Sequence, residues 1–181
     1  MKRFSISGTH SVGKTTLADC LFESLRNSVN IKLIPEIARE LIARGFLLNQ
    51  NITEWGIVNY VTEYLYQERN ICADIVLSDR SLIDLLAYIK TNKSIKIRKK
   101  YIQLVEEVVF EESKRFNHYF YLPIEFPLVL DEVRPSDISY QKEVDNTLKT
   151  LFKYYNIQPI IISGNVNKRL KDCSSWMYDK N

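Results

Sequence analysis

Two hydrophobic patterns alternate along the chain. Short apolar runs occur at residues 3–7, at Ile31-Lys32-Leu33-Ile34, at Ile75-Val76-Leu77, from His118 to Leu122, and at Ile160-Ile161-Ile162. Each is stopped by a glycine, a proline or polar residues, as strands are. Between them, apolar residues recur every three or four positions: Leu17, Leu21, Phe22 and Leu25; Ile37, Leu41 and Ile42; Ile57, Val61, Tyr64 and Leu65; Leu104, Val105, Val108 and Val109; Val144, Leu148, Leu151 and Phe152. That spacing predicts helices with one buried face. Thr53 is suited to cap the third of them, and Gly45 to end the second. Ser81 to Ile89 predicts a further helix, and the tail from Val166 a short one that frays. Thr91–Lys100 is basic and polar, a solvated connection, and Leu128 to Arg134 begins a polar turn.

Ile75-Val76-Leu77 shows no polar alternation, which suits a strand buried on both faces of a parallel sheet. Five such strands alternating with helices predict βαβ units, an α/β protein with helices on both sides of the sheet. With 181 residues, no internal repeat and no linker-like stretch, one domain over 1–181 is expected.

Composition narrows the class without naming it. Apolar residues are 45% and charged residues 26%, which excludes low-complexity disorder, and only 5 Gly and 5 Pro exclude a linker-dominated chain. A net charge of +3 is too small to argue for a nucleic-acid groove or a membrane-binding face. Cys20, Cys72 and Cys173 are far apart and odd in number, reduced thiols rather than a disulfide frame or a zinc site. No run approaches the ~18 apolar residues of a membrane span, and the start lacks a secretory pattern. A cytoplasmic protein is expected.

The chemistry is concentrated near the start. Gly8-Thr9-His10-Ser11-Val12-Gly13-Lys14-Thr15 matches G-x-x-x-x-G-K-[ST] in full, with a predicted strand before it and a helix after it. Gly8 and Gly13 allow turns that a Cβ would block. The backbone from Gly8 through His10, Ser11 and Val12 to Lys14, Thr15 and Thr16 then turns N–H groups toward phosphate oxygens, and the helix adds its positive end. Lys14 is a point charge for the β- and γ-phosphates, and Thr15 offers a hydroxyl to Mg²⁺. His10 either contacts phosphate or packs, and packing is the plainer reading. The motif predicts ATP or GTP but does not separate kinase, switch and motor.

Other short patterns separate them. Pro35-Glu36-Ile37-Ala38-Arg39 follows the second strand, Ser78-Asp79-Arg80-Ser81 the third, and Gly164-Asn165-Val166 with Arg169 the fifth. Together with the opening ISGTHSVGKTTL, they resemble the P-loop nucleoside and nucleotide kinases, most closely the AAA-like ATPase/kinase family that includes the ribosylnicotinamide kinase domain. The resemblance spans roughly residues 1–170. It implies a three-layer P-loop NTPase fold with a five-stranded parallel sheet in the order 2-3-1-4-5, and ATP with Mg²⁺ as cofactors. It implies Asp79 as the acid that helps Thr15 hold the metal, Arg80 as a contact to the transferring or acceptor phosphate, and Glu36 as the base that takes the acceptor's proton. Arg39 is then a substrate clamp. Apart from the resemblance, Tyr60, Tyr64 and Gln67, with Trp55 and Arg69, are candidates for the acceptor pocket, although aromatic residues at helical spacing are more usually core. A lid is expected near 128–142, with Arg134 stabilising the transferring group. Asn165 and Arg169 are placed against the adenine by resemblance alone.

The leading expectation is an ATP- and Mg²⁺-dependent kinase acting on a small nucleoside or nucleotide; a homodimer is compatible with it. A GTP switch is disfavoured because Asn92-Lys93-Ser94-Ile95 and Asn167-Lys168-Arg169-Leu170 lack the acid of N-K-x-D. The alternatives are an AAA-like regulatory ATPase without an acceptor, and a nucleic-acid end kinase using the basic stretch Lys93–Lys100. That stretch reads more simply as a solvated loop.

Overall fold

A computed structural model describes residues 1–92, 97–126 and 138–178. The five expected strands are β1 (Lys2–Ser7), β2 (Ile31–Ile34), β3 (Ile75–Asp79), β4 (His118–Tyr121) and β5 (Ile160–Ile161). They pair in parallel in the order β2-β3-β1-β4-β5. Parallel neighbours need crossovers, and helices supply them: α1 (Lys14–Leu25), α2 (Ile37–Ala43), α3 (Glu54–Asn70), α4 (Leu82–Thr91), α5 (Lys99–Ser113), α6 (Ile138–Tyr154) and α7 (Val166–Tyr178).

The unbroken apolar strands serve two cores. Alternate residues point to opposite faces. Phe4, Ile6, Ile75, Leu77, Phe120 and Leu122 pack with α1 and α7, whereas Val76, Tyr119 and Tyr121 pack with α2 to α6. Phe4 and Phe120 stack across β1 and β4 with rings 5.6 Å apart. On its other face β1 carries Arg3, Ser5 and Ser7, all buried. Small side chains there let α4 approach the central strand. From Leu82 to Ile89 that helix is buried on every side, as a helix apolar at all but one of these positions must be.

Several boundaries differ from the sequence expectation. β3 continues through Ser78 and Asp79, so the acid closes the strand instead of following it. The start of α3 is capped by Thr53 as expected, its side chain accepting from the Gly56 N–H, and the helix ends at Asn70. A short 3-10 turn at Asn49–Asn51 was not foreseen. The final helix runs for 13 residues and buries Arg169, Cys173 and Met177, so it is longer and better packed than the short helix expected. Residues 138–142, the end of the expected lid, are instead the first turn of α6. Arg134 and the rest of the lid segment lie outside the described residues, as do Lys93 and Lys96. Among the described residues, no helix is long and apolar enough to cross a membrane.

Candidate active site

The candidate residues gather at the carboxyl ends of β1, β2 and β3, where open parallel sheets bind ligands. β1 hands over to the motif loop at Gly8. Its φ is +151°, and a Cβ there would sit 2.7 Å from the Leu122 carbonyl oxygen, so only glycine fits. Gly13 closes the loop at φ +90° and starts α1 without a side-chain cap or a first-turn acid. The helix's first N–H groups are thereby left to the cleft. Ser11 takes φ +59° without being glycine, at a cost of about 1 kcal/mol.

Distant elements hold the loop from outside. Asp84, on the first turn of α4, is buried. One oxygen accepts from the Gly8 N–H at 3.0 Å, and the other from the Ser7 hydroxyl and the Ser81 N–H, both at 2.9 Å. Four of the loop carbonyls meet a side-chain donor. Arg80 reaches Gly8 at 3.3 Å, Lys14 reaches Thr9 at 2.5 Å, Gln141 reaches His10 at 2.8 Å and Arg169 reaches Val12 at 2.7 Å. His10 is buried; its ring stacks on Tyr140 and its Nδ1 lies 3.2 Å from the Tyr88 hydroxyl.

Four charges sit beside the loop. The Thr15 hydroxyl donates to Asp79 at 2.6 Å. The second Asp79 oxygen is buried without a hydrogen-bond partner among the described residues. Burial pushes the Asp79 carboxyl above its usual range, against the pull of Lys14. Burial, and then the Arg80 charge, bring the Lys14 ammonium down to about 7. Glu36, just past β2, bonds Arg80 at 2.8 Å and Arg39 at 2.9 Å. Burial would raise its pKa, but the Arg80 and Lys14 charges and both arginine hydrogen bonds outweigh it and hold the carboxylate well below the ordinary range. Arg80 itself has φ +82° and lies over the Tyr88 ring, 5.5 Å from its centre. It belongs both to the loop side and to a mostly apolar pocket lined by Ala38, Leu48, Ile52, Tyr60, Leu85 and Tyr88. The room inside is about 20 Å³, enough for a water or two.

The structure thus brings together the loop, Lys14, Thr15, Glu36, Arg39, Asp79 and Arg80, with Tyr60 at the pocket wall. It does not bring the rest of the α3 set there. Tyr64 lies in the core, Gln67 bonds Glu63 on its own helix, Arg69 pairs with Glu112, and Trp55 is exposed. Asn165 is exposed, and its side chain accepts from the Lys168 N–H at the start of α7. Thr16 is exposed on α1. Arg169 is buried against Val12, bonds Glu125 at 2.7 Å and lies over Phe126. Sequence reasoning missed Asp84, Gln141, Tyr88 and Glu125. Only Asp84 carried a local signal, the capping-box spacing Ser81-x-x-Asp84.

Fold and loop define a P-loop NTPase with a kinase-like arrangement of the sheet. Residues 3–169 match the family model described as an AAA domain, and the chain belongs to that family. No curated protein matches it in sequence. Among solved structures, the chain is similar to NadR protein in complex with NAD and AMP-PNP, with a TM-score of 0.75 and 17% identity over 99% of this chain. It spans about half of that protein, 50% of its length. Deoxyadenosine kinase from M. mycoides, solved with products, gives a TM-score of 0.67 at 14% identity, covering 97% of this chain and 98% of that one. Thymidylate kinase from Ehrlichia chaffeensis gives 0.57 at 15% identity, with coverage of 97% and 98%. At these identities the likeness is one of fold.

Proposed function

We propose that the protein is an ATP- and Mg²⁺-dependent kinase that transfers the γ-phosphoryl group to a hydroxyl of a nucleoside-like acceptor. The observation that carries this is the double placement of Arg80. The same guanidinium touches the Gly8 carbonyl of the motif loop, holds Glu36 and lines an apolar pocket walled by Tyr60 and Tyr88. Donor and acceptor would meet there. A plain ATPase has no use for a pocket on the far side of such an arginine.

Thr15 and Asp79 fit a magnesium ion. Both offer hard oxygen, and the buried Asp79 oxygen without a hydrogen-bond partner is one that a cation would satisfy. When bound, the ion neutralises charge on the phosphates. Lys14 would bind the triphosphate. Glu36 would accept the hydrogen bond of the acceptor hydroxyl and orient it. Its low pKa makes it a weak base, which suffices because phosphoryl transfer has a loose transition state and the proton leaves late. The cations nearest the pocket, Arg80 and Arg39, both bond Glu36, so the site favours a neutral acceptor over one that carries phosphate. A ring needs more room than the pocket now has, so its entry would require the lining side chains to move. The AMP-PNP and NR held by the similar NadR structures are in line with an ATP donor and a small acceptor.

A screen of nucleosides and nucleoside monophosphates with Mg·ATP, read by ADP release and by phosphorylated product, tests this. ADP release that needs a nucleoside is the expected result. ADP release at one rate regardless of any acceptor would reassign the protein as a regulatory ATPase. Glu36→Gln should lower kcat by about 10²–10³ while Mg·AMP-PNP binding stays within about twofold. An unchanged kcat removes Glu36 from the chemistry.

A further inference from the structure

The peptide between His10 and Ser11 lies at the crown of the loop, and its orientation is held by a residue 131 positions away in sequence. Gln141 Nε2 donates to the His10 carbonyl at 2.8 Å. Gln141 is 2% exposed, so this bond is buried. Within one trans peptide, the carbonyl of residue i and the N–H of residue i+1 point in opposite directions. A carbonyl fixed outward therefore fixes the next N–H inward. Here the next residue is Ser11, whose φ of +59° is unfavourable for a residue with a side chain. A peptide beside such a residue relaxes by flipping unless something outside the loop restrains it. Tyr140, the neighbour of Gln141 on α6, stacks on the His10 ring and restrains the side chain of the same residue.

We infer that Gln141 is a positioning residue for the triphosphate. By anchoring the His10 carbonyl it holds the Ser11 N–H in the orientation that receives a phosphate oxygen, before any nucleotide arrives. It touches no reacting atom. Its effect belongs to phosphate affinity, because a cradle already oriented loses less freedom on binding. This rests on the reading of residues 8–15 as a phosphate site, and it adds a residue that no motif contains. A helix-packing role alone would need only the bulk of the side chain. The outward carbonyl needs its donor.

Two substitutions of similar size separate bulk from donor. Gln141→Met fills the space without an N–H, and Gln141→Glu puts an acceptor oxygen against the carbonyl. Mg·AMP-PNP binding is measured by calorimetry at pH 8, beside adenosine binding and thermal unfolding. The expected order of affinity is wild type, then Q141M about 10-fold weaker, then Q141E weaker still. Adenosine affinity should remain within about twofold, since the bond acts on phosphate. Equal Mg·AMP-PNP affinity in wild type and Q141M overturns the inference, as does a parallel loss for adenosine. A wild type that binds no Mg·AMP-PNP would instead remove the phosphate-site reading itself. Should neither variant fold, ¹⁵N-labelled wild-type protein titrated with tripolyphosphate decides. The Ser11 amide must be among those that shift, and a Ser11 signal unmoved at saturation overturns the inference.

Discussion

Lys14 shows how one buried side chain ties binding to pH. Its ammonium is brought down to about 7 by burial first and by Arg80 second. A bound phosphate supplies the opposite charge and raises it again. Above pH 7 the free protein holds a largely neutral lysine and must take up a proton as the triphosphate binds. Below pH 7 the group is already charged and adds no slope. Affinity for Mg·AMP-PNP should therefore fall from about pH 7 to pH 9, by at most about tenfold per unit. Calorimetry in buffers of different ionisation enthalpy reads the proton uptake directly, and no uptake at pH 8.5 would contradict it. Lys14→Ala should lose both the uptake and phosphoryl transfer. Gly8 makes a simpler prediction. Gly8→Ala puts a methyl 2.7 Å from the Leu122 carbonyl oxygen, and the loop must move. We expect Mg·AMP-PNP binding to weaken at least about 10-fold, with a circular dichroism spectrum like that of wild type. Binding equal to wild type would show that the loop tolerates the shift.

At the scale of elements, α4 joins β1 to the loop through Asp84. Removing that carboxylate leaves the Gly8 N–H and the Ser7 hydroxyl buried without their acceptor. Asp84→Ala should cost about 2–4 kcal/mol in urea unfolding, and Asp84→Asn less, because its amide oxygen still accepts. A loss under 1 kcal/mol for the alanine variant would mean that water replaces the carboxylate. These contacts also show why part of the site was legible in the sequence and part was not. Glu36, Asp79 and Arg80 lie at or just past a strand end, which is visible as the point where an apolar run stops, and Lys14 and Thr15 belong to a contiguous motif after β1. The strands and helices were legible for the same reason, since burial sets their period. Tyr60 and Tyr64 share one helix and one residue type. Which of them meets the pocket depends on how α3 sits against α2 and α5, and neither packing is encoded locally. Gln141 looks like a surface residue in sequence although it is buried, and neither it nor the exposed Glu125 reveals its partner, which is far along the chain. The helix over Val166–Tyr178 was underestimated, since its buried face includes Arg169 and Cys173, which hydrophobic periodicity does not count.

Across the whole molecule, the motif loop is where three layers meet: β1 of the sheet, α4 and α6 on one face, α1 and α7 on the other. A ligand held there should stabilise all of them together. At a concentration 100 times its Kd, Mg·AMP-PNP contributes about 2.7 kcal/mol, so thermal unfolding should rise by about 5–10 °C. Removing magnesium with EDTA should shrink that rise, and an identical midpoint with and without the nucleotide would contradict it. The loop's anchors have an order in time as well as in space. Arg80, Gln141 and Arg169 lie 72, 131 and 157 residues beyond the carbonyls they hold. During translation the glycine-rich segment leaves the ribosome long before any of them. A nascent chain arrested ahead of Gln141 carries the whole motif but lacks two of the three distant side chains that hold its carbonyls, so the loop takes its final set of restraints only as α6 and then α7 are made.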